Sequence, residues 1–330
     1  MVKKKTKKTF IQKAKKVALI ILCIFLGLML FGFIYENISE FIDSKTLTPP
    51  GRIVDVNGHK MHIYCTGESQ DNSPTVILEA GGGYNYTTWA RVQPEIARYT
   101  KVCSYDRAGL GFSENANDKR TNSEVVSQLE ILLNNANING PYIMTGHSLG
   151  GFYTRLFTKR NPEKVVGLIQ VDPTVDEQAK LESADTTPQY IYSITNTMFY
   201  LSYKLGIARL VVNVAPDLIA VDISQKQKGI AFMLPLFGGK INDGEGLFNN
   251  MDEMKTASNF GELPVTILSA DKSIEEGISQ FGEDVKNWHP SLAKRLSNNS
   301  NCLLVKNSSH FIQYDQPQVV IDSILALLPN

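Results

Sequence analysis

A mixed α/β fold around a mostly parallel sheet is what the sequence predicts from residue 52 onward, and three observations predict it. Short β-rich apolar runs alternate with stretches of helical spacing. The first two runs are joined by Asn57-Gly58, a pair whose tolerance of positive φ suits a tight hairpin turn. A Gly-x-Ser-x-Gly segment, Gly146-His147-Ser148-Leu149-Gly150, stands between an apolar run and a helical one.

Taken in order, 53–56 and 60–65 form the opening hairpin. Residues 75–79 are a continuous apolar strand that runs into Gly81-Gly82-Gly83, and 89–99 read as a helix before a strand at 101–106. From 122 to 137 apolar residues recur at 125, 126, 129, 132 and 133, which is helical spacing, with Thr121 or Asn122 as its cap. A buried strand at 142–145 leads to a helix over 149–160 that Asn161-Pro162 ends, and 165–171 is the next strand. Strand patterning then stops. Residues 174–262 are rich in large apolar side chains, among them Tyr190, Tyr192, Met198, Phe199, Phe232 and Phe248, and read as a helical insertion rather than a long bare loop. Strands at 264–269 and 302–305 and a helix over 317–328 complete the chain, which contains no internal repeat.

Charge separates the N-terminus from the rest. The 330 residues balance 33 basic against 33 acidic side chains, and 43% are hydrophobic, which excludes a disordered chain and a strongly basic nucleic-acid binder. Residues 1–16, however, hold eight lysines and no acid, leaving 25 basic against 33 acidic residues beyond them. Residues 17–35 follow without a charge, and at 1.5 Å per residue they span roughly 28 Å, the thickness of a bilayer core. A cleaved signal peptide has a shorter apolar region and a small-x-small cleavage site, neither of which is seen here. The expectation is an uncleaved anchor, with 1–16 in the cytoplasm, 36–51 a linker and 52–330 outside the cytoplasmic membrane.

A serine between strand and helix sits on a turn so tight that its neighbours must lack side chains, which Gly146 and Gly150 provide. With that context the chain resembles the α/β-hydrolase superfamily over about 52–330. Further segments carry the resemblance: Leu78-Glu79-Ala80-Gly81-Gly82-Gly83, then Tyr105-Asp106-Arg107-Ala108-Gly109-Leu110-Gly111-Phe112-Ser113, and Ser309-His310-Phe311 after the last strand. The resemblance implies an eight-stranded, mostly parallel sheet flanked by helices, with 174–262 as a cap over the site.

It also implies roles. Ser148 becomes the nucleophile and needs a base, because a serine hydroxyl is inert at neutral pH. Of five histidines, His59 and His62 lie in the opening hairpin as surface or strand residues, His147 packs beside the nucleophile, and His289 reads as a helix entry. His310 matches the family's base. The amides of Gly82 and Leu149 match the oxyanion donors. The acid stays open between Asp172, at the end of a strand, and Asp271, with Glu275 or Glu276 behind them. Cys65 and Cys103 fall on strands that neighbour one another in this family, so an extracytoplasmic body would permit a disulfide between them. No cofactor or metal is implied: H-E-x-x-H and paired Cys-x-x-Cys are absent from the sequence, and the glycines at 81–83 do not complete a dinucleotide fingerprint. The expected activity is cleavage of an ester or related acyl bond in a small, apolar substrate. An aminopeptidase-like or lactone-cleaving activity, or a catalytically silent binding protein, stands as the alternative. The expected partners are that substrate and the lipid bilayer, with no nucleic acid.

Overall fold

The computed structural model describes residues 2–68, 73–116, 121–177, 197–198, 201–202, 204–214, 256–281 and 283–329. The chain divides into two compact units, Met1–Thr48 with Thr187–Ile219, and Pro49–Thr186 with Ala220–Asn330.

In the first unit, α1 (Val2–Thr46) is a single helix of 45 residues, and its stretch Gln12–Asp43 is long and apolar enough to cross a membrane. The helix does not stop at residue 35. Most of the expected linker, 36–46, continues it, because Glu36, Glu40 and Asp43 recur at i, i+4 and i+7 and meet cations from residues 204 and 209.

The second unit is built on an eight-stranded sheet in the order β1-β2-β4-β3-β5-β6-β7-β8. β1 (Arg52–Val56) and β2 (His59–Thr66) form the antiparallel hairpin, with Asn57 and Gly58 both at positive φ. β2 pairs antiparallel with β4 (Val102–Tyr105), and from β4 onward every pairing is parallel. β3 (Thr75–Glu79) is buried along its whole length. The helix expected over 89–99 is instead a 3₁₀ turn, Tyr86–Trp89, and a four-residue helix α2 (Gln93–Ile96). Pro94 explains the break, since it lacks the N–H that a continuing helix would use. Thr121 caps α3 (Asn122–Asn135) by accepting from the Glu124 amide.

β5 (Tyr142–His147), α4 (Leu149–Arg160) and β6 (Val165–Val171) follow as expected. The described part of 174–262 contains α5 (Ile207–Val214), in the first unit. Residues 178–196, 199–200, 203 and 215–255 of that expected cap, with Tyr190, Tyr192, Phe199, Phe232 and Phe248 among them, lie outside the described residues. Between β7 (Val265–Ala270) and β8 (Ser300–Val305) the chain forms α6 (Asp271–Phe281) and α7 (Trp288–Leu296), where the sequence reading assigned no element beyond a helix entry at His289. α8 (Ile312–Asp315) and α9 (Pro317–Leu325) close the fold.

Parallel strands need both faces covered. One apolar layer joins the sheet to α3, α4 and α7 through Leu129, Phe152, Leu156 and Leu296, and the other joins it to Trp89, α2 and α9 through Ile96, Val320 and Ile324. Helices therefore flank the sheet on two sides and leave the carboxyl ends of the parallel strands to carry chemistry.

Candidate active site

Ser148 follows β5 directly and begins α4, at φ +52° and ψ −121°, a region that costs a non-glycine residue about 1–3 kcal/mol. The two glycines around it are required by contact. A Cβ on Gly146 would lie 2.4 Å from the Gly150 carbonyl oxygen, and one on Gly150 would lie 2.5 Å from that of Ala80. The turn is held from outside by Ser148 N donating to Val171 O at 3.0 Å and Thr174 N donating to Ser148 O at 3.1 Å.

Asp172 follows β6 at φ +43° and is buried. Its Oδ1 accepts from the Ala270 amide at 2.9 Å, and its Oδ2 accepts from His310 Nδ1 at 2.7 Å. Burial works to raise the Asp172 carboxyl, but the hydrogen bond from His310, the electrostatic influence of His289 and His310, and the Ala270 amide together hold it below the usual carboxylate range. Because His310 Nδ1 carries the proton donated to Asp172, Nε2 of the neutral ring is left as a proton acceptor.

Asp271, the alternative acid, is not against the His310 ring. Its carboxylate accepts from the amides of Asn307 and Ser308 at 2.8 and 3.0 Å, so it fastens the loop that carries His310. Those amide bonds, the Asn307 one foremost, lower its pKa. Asp315 fastens the same loop by accepting from Ser309 N and Oγ. Glu275 and Glu276 are exposed on α6.

Four other histidines sit where the sequence places them, on the opening hairpin, at a helix entry and packed beside Ser148, but with more burial and more partners than the sequence shows. His59 and His62 are strand residues but buried, and His62 Nδ1 lies 2.8 Å from Asp106, which also accepts from the amides of Tyr86 and Phe112. His289 accepts from Ser269 Oγ at Nδ1 and donates from Nε2 to Pro173 O, 3.9 Å from Asp172. His147 is fully buried, its ring 4.6 Å from that of His310, and it donates from Nε2 to the His310 carbonyl at 2.9 Å. Burial, with His310 beside it, pushes the His147 imidazole down to about 3.

The loop after β3 is shaped by a residue that sequence reasoning missed. Arg107 is buried and paired with Glu79 at 2.5 Å, and it also donates to the carbonyls of Ala80 at 2.7 Å and Gly81 at 2.6 Å. A trans peptide points its N–H opposite to its C=O. Fixing the Gly81 carbonyl on Arg107 therefore turns the Gly82 amide the other way. Gly82 lies beside Leu149: a Cβ there would be 3.3 Å from Leu149 Cδ2. A signal for Arg107 was present, since a lone cation between apolar strand and glycine-rich turn must find a buried anion. Cys65 and Cys103 are directly opposed on β2 and β4, and their sulfurs are bonded.

Residues 74–201 match the family model described as alpha/beta hydrolase fold. Among curated relatives, YqjL of Bacillus subtilis is 26% identical over 248 residues, covering 74% of this chain and 80% of that protein. An AB hydrolase superfamily protein of Gibberella zeae is 36% identical over 103 residues, 30% of this chain and 32% of its own length. The chain spans under half of several other relatives, including 29% of a Schizosaccharomyces pombe protein. Among solved structures, the epoxide hydrolase CorEH aligns with a TM-score of 0.60 at 19% identity over 84% of this chain and 97% of that one. A thermophilic esterase from Thermogutta terrifontis aligns with a TM-score of 0.54 at 17% identity over 83% and 96%. Est816, an N-acyl homoserine lactone degrading enzyme, aligns with a TM-score of 0.57 at 14% identity over 83% of this chain and 99% of that one. With the sheet order and the elements around it, these matches show that the chain has the α/β-hydrolase fold.

Proposed function

We propose that this chain is a membrane-anchored serine hydrolase that cleaves an ester or related acyl bond, a lactone included, through an acyl-enzyme. The observation that carries the reading is the His310–Asp172 pair at 2.7 Å, on a loop whose His310 carbonyl accepts from His147, the residue before Ser148. In this mechanism Ser148 Oγ attacks the acyl carbonyl while His310 Nε2 takes its proton, and Asp172 stabilises the imidazolium. The amides of Gly82 and Leu149 receive the oxyanion, where losing one donor costs on the order of 3–4 kcal/mol. His310 then returns the proton to the leaving alkoxide, and water repeats the sequence to release the acid. The long apolar helix behind a lysine-rich start supports an anchor with a cytoplasmic N-terminus, and the Cys65–Cys103 bridge supports an oxidising compartment for the body.

Hydrolysis of p-nitrophenyl esters of increasing acyl length, with an N-acyl lactone alongside, tests the activity. Wild type should turn over at least one acyl length and Ser148→Ala none above background. Equal rates from both proteins would sink the proposal.

A further inference from the structure

We propose that residues 204–214 are a second membrane-contacting element, an amphipathic platform seated in the outer leaflet against the end of the anchor helix. This rests on the anchor reading of α1 and adds a partner surface to it. Three ion pairs join the segment to α1: Arg209 to Glu36 at 2.9 Å, Arg209 to Asp43 at 2.7 Å, and Lys204 to Glu40 at 2.9 Å. Glu36 is completely buried, the first charge after the apolar run. Deeper still, Gly32 lies within that run, and a Cβ on it would stand 2.3 Å from the Leu205 carbonyl oxygen. The segment therefore overlaps the last turn of the apolar run, and Asp43 lies only roughly 12 Å beyond Tyr35 along the helix. That depth is the zone between acyl chains and headgroups, where amphipathic helices lie.

The pattern of α5 agrees. Arg209 turns to α1, while Ile207, Leu210, Val211 and Val214 recur at i, i+3, i+4 and i+7 on the opposite side and are all exposed, Val214 by 73%. Met198 and Leu201, shortly before it in the chain, are exposed too. An apolar face held at bilayer depth, continuous with an anchor helix whose apolar side chains are themselves exposed, has lipid as its occupant.

The test uses the full chain in phosphatidylcholine vesicles, with Cys23→Ser and Cys302→Ser leaving only the Cys65–Cys103 bridge. A fluorophore is attached through Val214→Cys, or through Leu26→Cys as the reference for the span. Brominated lipid should quench both labels, and aqueous iodide should quench neither. Arg209→Glu should abolish lipid quenching at position 214, and adding Glu36→Arg should restore it. If the Leu26 label is quenched by lipid and the Val214 label by iodide, the platform is refuted and the anchor stands. A Val214 label shielded from both quenchers points to protein, such as a second copy, and also overturns the proposal. No lipid quenching at Leu26 removes the anchor and the platform together.

Discussion

In the proposed mechanism Asp172 must stay charged to stabilise an imidazolium, and its surroundings favour that: burial opposes the charge, but His310, His289 and the Ala270 amide outweigh it. Asp271 serves the same histidine differently, through the backbone of residues 307 and 308. The two substitutions should therefore separate. Asp172→Asn is expected to lower kcat on the order of 10³–10⁴-fold, because the imidazole loses its tautomer partner. Asp271→Asn should cost far less and act by loosening the loop, so a comparison of kcat with thermal midpoint for each variant checks the assignment. Equal kcat losses would contradict it. The sequence could not choose between them, because both follow apolar strands and each keeps the order serine, acid, histidine. Only the folded chain separates them, with Asp172 Oδ2 2.7 Å from His310 Nδ1 and Asp271 on the amides of 307 and 308. Ser148 and His310 were legible for the opposite reason: a strained turn demands glycines at fixed spacing, and the chain has few histidines after its penultimate strand.

At the scale of an element, the loop after β3 is held as a shape by one guanidinium. Arg107 satisfies Glu79 and two carbonyls at once from two nitrogens of a planar fork, a geometry that the single nitrogen of a lysine does not reproduce. Arg107→Lys should keep the buried charge paired yet free the Gly81 carbonyl, so the Gly82 amide loses its direction. We expect kcat to fall with KM nearly unchanged, the signature of an interaction made only in the transition state, measured on the best p-nitrophenyl ester. A raised KM at constant kcat would refute this role. Local pattern made the strands readable, since their apolar runs are short and bounded by turns, but it could not see that Pro94 splits the helix expected at 89–99. Nor could it see that α1 continues to Thr46, because that continuation depends on Arg209 and Lys204 far along the chain.

For the whole molecule, His147 makes stability depend on acid. Its imidazole titrates at about 3 when folded against an ordinary value of 6.5, so between those limits the unfolded chain binds a proton that the folded chain refuses. Stability therefore rises with pH across that window and falls on acidification, by at most about 1.4 kcal/mol per pH unit. Asp172, held below its ordinary value, adds a loss in the same direction at still lower pH. Thermal midpoints of wild type and His147→Asn between pH 7 and pH 4 should show a flatter acid limb in the variant, and parallel limbs would refute the role. The chain as a whole thus carries a helix fit to span a membrane and an α/β-hydrolase fold that holds a strained serine and a histidine–aspartate pair. The central claim is that Ser148 is the nucleophile. Its most direct test is peptide mass spectrometry of the full chain after reaction with a fluorophosphonate. The account predicts a single adduct on Ser148, lost in Ser148→Ala and prevented by prior reaction with a slow ester. A folded protein with no adduct, or with its adduct on another residue, would contradict it.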